Sequence, residues 1–377
     1  QTTSNGLYYQ WENFANYMTS IGKHSISAMA GMSYIQSESN GTTAGASGEE
    51  LLSSYEENFR YLDCVLVSDK VSRTFSGTPG KSSSISYFGR LGYTYDDRYS
   101  LQANFRADAF DTSKLPADKR WGYFPSLSAG WTLSNEKFFK NLVPDNIVSF
   151  AKLRASWGRN GNINVLSGYK YSSSIATGGQ WYQYSNGTTV TNGSMPSGLA
   201  NPNLTWEKTT TWNAGLDLSL LNNRLGFSVD YYYRKTKDLI NSVFVSAGGN
   251  FGNKMTSNVG SLHNSGLEFA TTVRPIVTKD FSWEMNYNIT YNKNKVDELL
   301  TGSGSNYYVD SKDGGISIGT GGNVEANAVG HSVNAFHVYQ QVYDANGKPI
   351  TNTFVDRNND GVINDADKYY YYKPTPD

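Results

Sequence analysis

Hydrophobic and polar residues alternate strictly along several stretches of the chain. Between residues 224 and 235, the odd positions from 225 to 233 are apolar or aromatic, while Ser228, Asp230 and Arg234 fall between them. Between residues 283 and 292, the odd positions are again apolar or aromatic and the even ones carry Glu, Asn or Thr. Successive side chains of a strand point to opposite faces, so this pattern predicts strands with one apolar and one polar face.

Ten segments are predicted as strands on this basis. They span residues 8–20, 24–36, 84–95, 99–109, 122–133, 150–158, 206–220, 224–238, 263–275 and 281–293. Tight turns at 21–23, 96–98, 221–223 and 276–280, and a link with a predicted helix at 136–142, alternate with long links such as 37–83, 159–205 and 294–334. Successive hairpin connections lie at opposite ends of an antiparallel sheet, so the short turns are expected at one end and the long loops at the other.

Composition narrows the function classes. Charged residues make up 17% of the chain, aromatic residues 14% with 28 Tyr, and the formal net charge is -1, so a nucleic-acid partner is not expected. The one cysteine, Cys64, excludes a disulfide within the chain and a thiolate metal site. No segment reaches the roughly eighteen apolar residues of a membrane-spanning helix, so a membrane protein with this sequence would be a β-barrel.

The asymmetry of the links is typical of bacterial outer-membrane barrels, which have short periplasmic turns and long external loops. Aromatic residues near strand ends fit the interfacial girdles of such barrels: Tyr93, Tyr95, Tyr99, Trp121, Tyr123 and Phe124. Asp217, Asp230 and Glu268 are then expected to face a wet lumen. A soluble β-rich glycan-binding protein stays open as an alternative, because strands that cover a soluble core also alternate between apolar and polar residues. A passive barrel is the other alternative. Ten strands would leave open edges in lipid, so a transmembrane barrel must be larger than this chain.

A segment near residue 360 has the spacing of a calcium-binding loop. Counted as twelve residues from Asp356, it has oxygen-bearing side chains at positions one, three, five, nine and twelve and glycine at six. The predicted ligands are Asp356, Asn358, Asp360, the carbonyl of Val362, and Asp367, which stands where a glutamate is usual. The alternative is a polar turn held by Asx hydrogen bonds, since Asn-Asp-Gly is also turn chemistry. Calcium would brace a loop rather than take part in chemistry.

Loop aromatics are the predicted substrate-binding residues: Trp181, Tyr182, Tyr184, Tyr307 and Tyr308. They lie among Gly, Ser and Asn, and flat apolar faces beside polar groups suit sugars or peptides, although such residues also pack loops together. The four histidines, His24, His263, His331 and His337, are scattered without a nucleophile or zinc-ligand spacing. No catalytic residues and no enzymatic activity are therefore predicted.

Short motifs spread over most of the chain resemble the SusC/RagA-type TonB-dependent outer-membrane transporters of the Bacteroidetes. They are Trp11-Glu12-Asn13, His24, residues 87–90, Asp97-Arg98-Tyr99, Arg106-Ala107-Asp108, residues 121–131, residues 153–158, Asn160-Gly161-Asn162, residues 201–207, Lys237-Asp238-Leu239, Asn258-Val259-Gly260 and Gly266-Leu267-Glu268. Each motif is short, and their order along the chain makes the resemblance specific.

The resemblance implies an all-β fold, an antiparallel transmembrane β-barrel of about twenty-two strands around an N-terminal plug. Residues 1–343 are expected to form part of this barrel and residues 344–377 an extracellular loop segment with the calcium-like motif. Nothing in the sequence resembles the plug, its TonB box or the final strands, so the chain is expected to be a fragment. The implied function is import of an oligosaccharide or oligopeptide through the outer membrane, with a SusD-like surface lipoprotein, the TonB–ExbB–ExbD complex and outer-membrane lipid as partners.

Overall fold

The computed structural model describes residues 2–48, 71–111, 113–166, 168–177, 183–185, 190–245, 252, 254–299, 308–310, 317–318 and 322–371. Its main feature is one antiparallel sheet of ten strands that follow one another in chain order. The strands are β1 (Thr2–Ile21), β2 (His24–Gly48), β3 (Val71–Tyr95), β4 (Tyr99–Phe110), β5 (Trp121–Thr132), β6 (Val148–Asn162), β7 (Glu207–Leu220), β8 (Leu225–Lys237), β9 (Ser261–Val277) and β10 (Ser282–Glu298). All ten predicted strands are therefore confirmed, in the predicted order.

The smaller elements lie in the connections and after β10. Two-stranded pairs form between Ser174–Thr177 and Ser194–Gly198, Gln183–Ser185 and Val190–Asn192, Ile240–Phe244 and Lys254–Asn258, Ser317–Ile318 and Gly322–Asn323, and Gln341–Tyr343 and Pro349–Phe354. A four-stranded sheet joins Tyr308–Asp310, Glu325–Ala328, Ala335–Val338 and Tyr369–Tyr371. The helices are α1 (Lys137–Leu142), as predicted in that link, and 3-10 turns at Ala117–Lys119, Leu133–Asn135 and Asp365–Asp367. Among the described residues, no helix has the length and apolar character needed to cross a bilayer.

The link predicted between β2 and β3 is partly wrong. Both strands continue past the predicted boundaries as a paired ribbon, from Glu38 opposite Lys81 to Gly48 opposite Val71. These stretches are rich in Ser, Thr and Gly and do not alternate in polarity, because neither face of the ribbon is apolar. Main-chain hydrogen bonds, which side-chain periodicity does not report, hold the ribbon together.

Register gives the sheet one apolar and one polar face, since directly opposite residues share a face. One ladder runs across all ten strands through Thr19, Ile26, Tyr93, Leu101, Ala129, Ala155, Ala214, Tyr231, Leu267 and Tyr291. The adjacent ladder on the other face runs through Met18, Ser27, Gly92, Gln102, Ser128, Ser156, Asn213, Tyr232, Gly266 and Asn292. We call these the apolar face and the polar face.

The apolar face is exposed across the middle of the sheet. Leu101, Leu127 and Trp212 are 56%, 56% and 58% exposed, and no element of the described chain covers them. Leaving a large apolar side chain in water forgoes about 1.5–3 kcal/mol. A sheet whose apolar face stays open over ten strands is suited to contact with lipid, as on the outer surface of a membrane barrel.

The four predicted tight turns all lie at one end of the sheet, as predicted, and neighbouring connections at this end are hydrogen-bonded to one another. The bonds, donor first, are Asp96 N to Lys23 O at 2.7 Å, Thr132 N to Arg98 O at 2.7 Å, Leu221 N to Ile147 O at 3.0 Å and Arg274 N to Arg224 O at 2.7 Å. We call this end the turn end and the opposite one the loop end. The division of the chain after residue 343 stays a prediction.

Candidate functional site

The polar face carries charged side chains from successive strands. Asp230 lies directly opposite Gly215 on β7 and Glu268 on β9, and Asp217 shares this face because it is two residues from Gly215. The lumen-facing positions predicted for Asp217, Asp230 and Glu268 thus fall together on the polar face. The polar face is the candidate site, because it would line an enclosed lumen.

An arginine on β6 links two of these carboxylates. Arg154 donates from Nε to Asp217 at 2.9 Å, and from Nη2 to Asp230 and to Ser228 Oγ. Ser228 in turn donates to Asp217 at 2.8 Å. The second carboxylate oxygen of Asp230, Oδ1, is buried without a hydrogen-bond partner in the described part of the chain. One guanidinium therefore holds two acidic groups on two neighbouring strands.

A second charged group lies nearer the loop end, where Phe88, Arg106 and Phe124 are directly opposite one another on β3, β4 and β5. Arg106 Nε lies 2.8 and 2.9 Å from the two carboxylate oxygens of Asp108, and Nη2 donates to Ser86 at 2.9 Å. Its guanidinium carbon is 5.8 Å from the centre of the Phe88 ring. We call Phe88, Arg106, Asp108 and Phe124 the wall row.

The wall row borders two cavities of about 550 and 260 Å³ that share Arg106, Asp108 and Gly161. The larger is also lined by Glu12, Met29, Arg90, Asn104, Ser126, Arg159 and Asn160. The sequence did not single out the wall row as a site. A signal was present, because Arg106 and Asp108 are two residues apart and so lie on the same face of β4.

Aromatic and aliphatic side chains close the loop end of this face. Leu115, Ile163, Leu166, Leu204 and Trp206 form the buried cluster of the structure. Trp206 packs edge-on against Phe124 with 5.3 Å between ring centres and donates from Nε1 to the Arg120 carbonyl at 3.3 Å. The cluster joins the connections before β5, after β6 and before β7, so the loops rise from a packed base.

Several of the scattered sequence motifs meet at this base. The Asn258 carboxamide accepts a hydrogen bond from Thr205 N and donates to the carbonyls of Thr205 and Asp238, each at 2.8 Å. The Glu207 carboxylate accepts from Asn162 Nδ2 at 2.8 Å and from Ile240 N at 2.9 Å. The connection between β6 and β7 and the connection between β8 and β9 are thereby tied together, largely by side chains that pair with main-chain groups outside the main sheet.

Charged residues also link the turns at the opposite end. Glu136 is buried and accepts hydrogen bonds from Tyr99 Oη at 2.5 Å, Arg98 Nη1 at 2.9 Å and Trp131 Nε1 at 3.1 Å. These bonds, from Tyr99 first, lower the pKa of the Glu136 carboxyl. Arg98 also pairs with Asp96 at 2.8 Å, and Asp96 with Lys23 at 2.9 Å, which lowers the pKa of Asp96.

The predicted calcium loop folds around its own side chains. Asp356 accepts from Gly361 N at 2.7 Å, Asn358 from Asp360 N at 3.1 Å, and Asp360 from Val362 N at 2.8 Å. Asp367 is fully buried and accepts main-chain hydrogen bonds, from Asn364 at 2.9 Å and Arg357 at 2.8 Å.

The hydrogen bonds to Asn364 and Arg357 hold the pKa of the Asp367 carboxyl below its ordinary value. Across the described residues, no three His, Cys, Asp or Glu side chains are placed to hold a metal ion, whereas the predicted ligand set also uses Asn358 and the Val362 carbonyl. Calcium binding stays a prediction.

The predicted substrate-binding aromatics are not tested by the structure. Trp181, Tyr182 and Tyr307 lie outside the described residues. Tyr184 and Tyr308 belong to the short strands Gln183–Ser185 and Tyr308–Asp310, and only their main chain is described.

Curated relatives and solved structures are similar to this chain over most of its length. It is 47% identical over 297 residues to the TonB-dependent receptor SusC of Bacteroides thetaiotaomicron, covering 79% of this chain and 29% of that protein. It is 31% identical over 382 residues to the TonB-dependent receptor P3 of Formosa agariphila, covering 97% of this chain and 36% of that protein. The chain thus spans about a third of the length of the relatives it matches.

The fold is similar to that of two structures of one transporter. The RagAB peptide transporter matches with a TM-score of 0.72 and 23% identity, over 91% of this chain and 35% of that one. The RagAB peptide importer in the open-open state matches with a TM-score of 0.76 and 22% identity, over 94% of this chain and 37% of that one. These likenesses show a shared barrel wall. Since residues 1–374 match the family model described as TonB dependent receptor-like, beta-barrel, the chain belongs to that family and is part of an outer-membrane β-barrel of SusC type.

Proposed function

We propose that the whole protein imports an oligosaccharide across the outer membrane. The observation that carries the proposal is the two-faced sheet, in which an open apolar face suits lipid and a polar face with charged side chains suits a wet passage. The SusC-type family membership supports import driven through TonB, and the TonB–ExbB–ExbD complex is therefore a proposed partner.

A SusD-like surface lipoprotein is the second proposed partner and would cover the loop end. Support comes from the packed base of Trp206 and Asn258, which holds long connections together on the side that the short turns leave free. The loop aromatics Trp181, Tyr182, Tyr184, Tyr307 and Tyr308 are proposed to contact the substrate there. A bound calcium ion at Asp356, Asn358, Asp360, Val362 and Asp367 would stiffen a neighbouring loop and would have no part in transport chemistry.

Uptake by living cells tests this function. A strain from which the gene has been deleted is compared with its parent for uptake of fluorescently labelled neutral oligosaccharides, acidic oligosaccharides and oligopeptides, each with and without a protonophore. We expect the deletion and the protonophore each to abolish uptake of one oligosaccharide class. Uptake that depends on the gene but not on the proton gradient would indicate a passive barrel, and loss of oligopeptide uptake alone would contradict the oligosaccharide substrate.

A further inference from the structure

The two phenylalanines of the wall row lie against glycines, which sets how their rings are presented. A Cβ added at Gly31 of β2 would come within 2.7 Å of Phe88 Cε2. A Cβ added at Gly122 of β5 would come within 2.5 Å of Phe124 Cζ, and one added at Gly161 would also meet the Phe124 ring. Each ring therefore lies close to main chain that carries no side chain, and both rings line the cavity of about 550 Å³.

The spacing of the two rings follows from the sheet. Phe88 and Phe124 are on β3 and β5, both directly opposite Arg106 on β4. Neighbouring strands are about 4.8 Å apart, so the two rings are separated by about 10 Å along the wall. Two flat apolar surfaces at this separation, with polar groups between them, suit an extended chain of rings rather than one compact ligand.

The polar groups between the rings are already oriented. The near-equal distances from Arg106 Nε to both Asp108 oxygens fix the guanidinium, and Ser86 Oγ holds its Nη2. Asn104 accepts from Arg90 Nε at 2.9 Å and donates to Ser126 Oγ at 3.1 Å. Donors and acceptors thus lie side by side in the cavity wall, and hydroxyl groups, which both donate and accept, can pair with either kind.

Charge and topology argue against a peptide as the occupant. Three guanidiniums and two carboxylates line the cavity. The charges of Arg106 and Asp108 offset each other, because these two side chains form an ion pair. One recurring mode of peptide binding adds a strand at a sheet edge, and β3, β4 and β5 do not offer it because they are interior strands with both neighbours in place.

We propose that the wall row is a sugar-binding subsite of the passage, where Phe88 and Phe124 stack on two rings of an oligosaccharide and Arg106 and Asp108 bind hydroxyl groups between them. This inference rests on the proposed import function and specifies which part of the wall contacts the substrate.

Binding to the full-length protein in detergent tests the subsite. Fluorescent glucan, mannan, xylan and galactan oligosaccharides are titrated, with a pool of labelled oligopeptides as the comparison. We expect at least one oligosaccharide to bind and Phe88→Leu, Phe124→Leu and Arg106→Lys each to weaken it about five- to tenfold, the last because lysine lacks the planar fork. Phe88→Tyr should restore binding, since it keeps the ring face.

The control is Tyr123→Leu, on the same strand as Phe124 but on the apolar face, where Tyr123 stacks against Phe105 with 6.2 Å between ring centres. This variant should bind as the parent does. Normal oligosaccharide uptake and binding in all three wall-row variants would overturn the subsite while leaving the import function intact. Binding of oligopeptides alone, weakened by the same variants, would overturn the sugar assignment together with the oligosaccharide substrate.

Discussion

Arg154 on β6 donates a hydrogen bond to Asp230 on β8, two strands away. The intervening strand leaves room for this contact at Gly215, where an added Cβ would lie 2.7 Å from Arg154 Cζ and 2.7 Å from Asp230 Oδ1. A single missing side chain thus allows one guanidinium to join carboxylates on two strands, and Asp217 on β7 completes the group.

The Gly215→Ala substitution should weaken the wall at this position. The new methyl group displaces Arg154 from Asp230 and leaves a partly buried carboxylate without its cation, at a cost of about 1–3 kcal/mol. Unfolding of the detergent-purified protein by urea measures the loss. Gly226→Ala on β8 is the control, because a Cβ there meets Thr272 only at 3.8 Å. Equal stability of the two variants would contradict the role assigned to Gly215.

Neighbouring residues on β5 offer a direct test of which face meets lipid. Leu127 is on the apolar face and Ser128 on the polar face. Leu127→Arg should reduce the free energy of folding into lipid vesicles by about 2–4 kcal/mol, whereas Ser128→Arg should cost much less because the lumen is wet. Folding into vesicles at graded urea measures both. A larger loss for Ser128→Arg would reverse the assignment of the faces.

Asn258 should be needed to hold the base of the loops. Its carboxamide makes three hydrogen bonds to main-chain groups of two other segments, so Asn258→Ala leaves those groups unpaired at a cost of about 1–3 kcal/mol. We expect faster proteolysis of the connections around residues 205 and 258. Asn241→Ala is the matched control, since Asn241 accepts a hydrogen bond only from the adjacent Ser242 among its described contacts. An unchanged rate of cleavage in Asn258→Ala would contradict the proposed role of Asn258 in holding these connections together.

Protonation of Glu136 in acid should reduce the stability of the turn end. The pKa of this carboxyl is held below its ordinary value of 4.5 by hydrogen bonds from Tyr99, Trp131 and Arg98. A carboxyl with a lowered folded-state pKa contributes stability that is present above pH 4.5 and is lost as the pH falls through the folded-state pKa. Glu136→Gln should therefore be less stable at neutral pH and show a flatter decline between pH 5 and 3. Parallel pH profiles for parent and variant would contradict this.

Calcium should raise the Tm of the protein if the loop from Asp356 to Asp367 binds it, because an ion that binds only the folded state stabilises that state. We expect a rise with calcium that a chelator reverses and that is reduced by Asp360→Asn, which removes charge from a predicted ligand. Asp365→Asn is the control, since Asp365 lies outside the ligand set and pairs with Lys368 at 2.9 Å. A Tm indifferent to calcium would leave the Asx hydrogen bonds as the explanation of the motif.

The alternation of apolar and polar residues is sufficient to predict the sheet. Every strand that crosses the membrane has one side toward lipid and one toward water, so its residues alternate in polarity. Tyr231, Leu267 and Tyr291 lie in one ladder, and their polar neighbours lie in the next. The ribbon of β2 and β3 beyond Glu38 was missed for the same reason: both of its faces are polar, so only main-chain pairing identifies it.

The site was less accessible to sequence reasoning because it depends on contacts between distant segments. Phe88 and Gly31 are far apart in the chain and meet only through strand register, and Asn258 reaches Thr205 across a long connection. The motifs containing Arg106 and Asn258 are visible in the sequence, but the sequence alone does not indicate which groups their side chains contact. Only local composition points to the loop aromatics, and their role stays a prediction.

The hydrogen bonds between neighbouring connections at the turn end have a geometric consequence. Lys23 with Asp96, Arg98 with Thr132, and Arg224 with Arg274 each fasten one hairpin to the next. The stagger between adjacent hairpins is thereby fixed at one rim. Strand number and stagger together determine the tilt and diameter of a closed cylinder, so the stagger fixed at this rim contributes to the diameter of the barrel to which these ten strands belong.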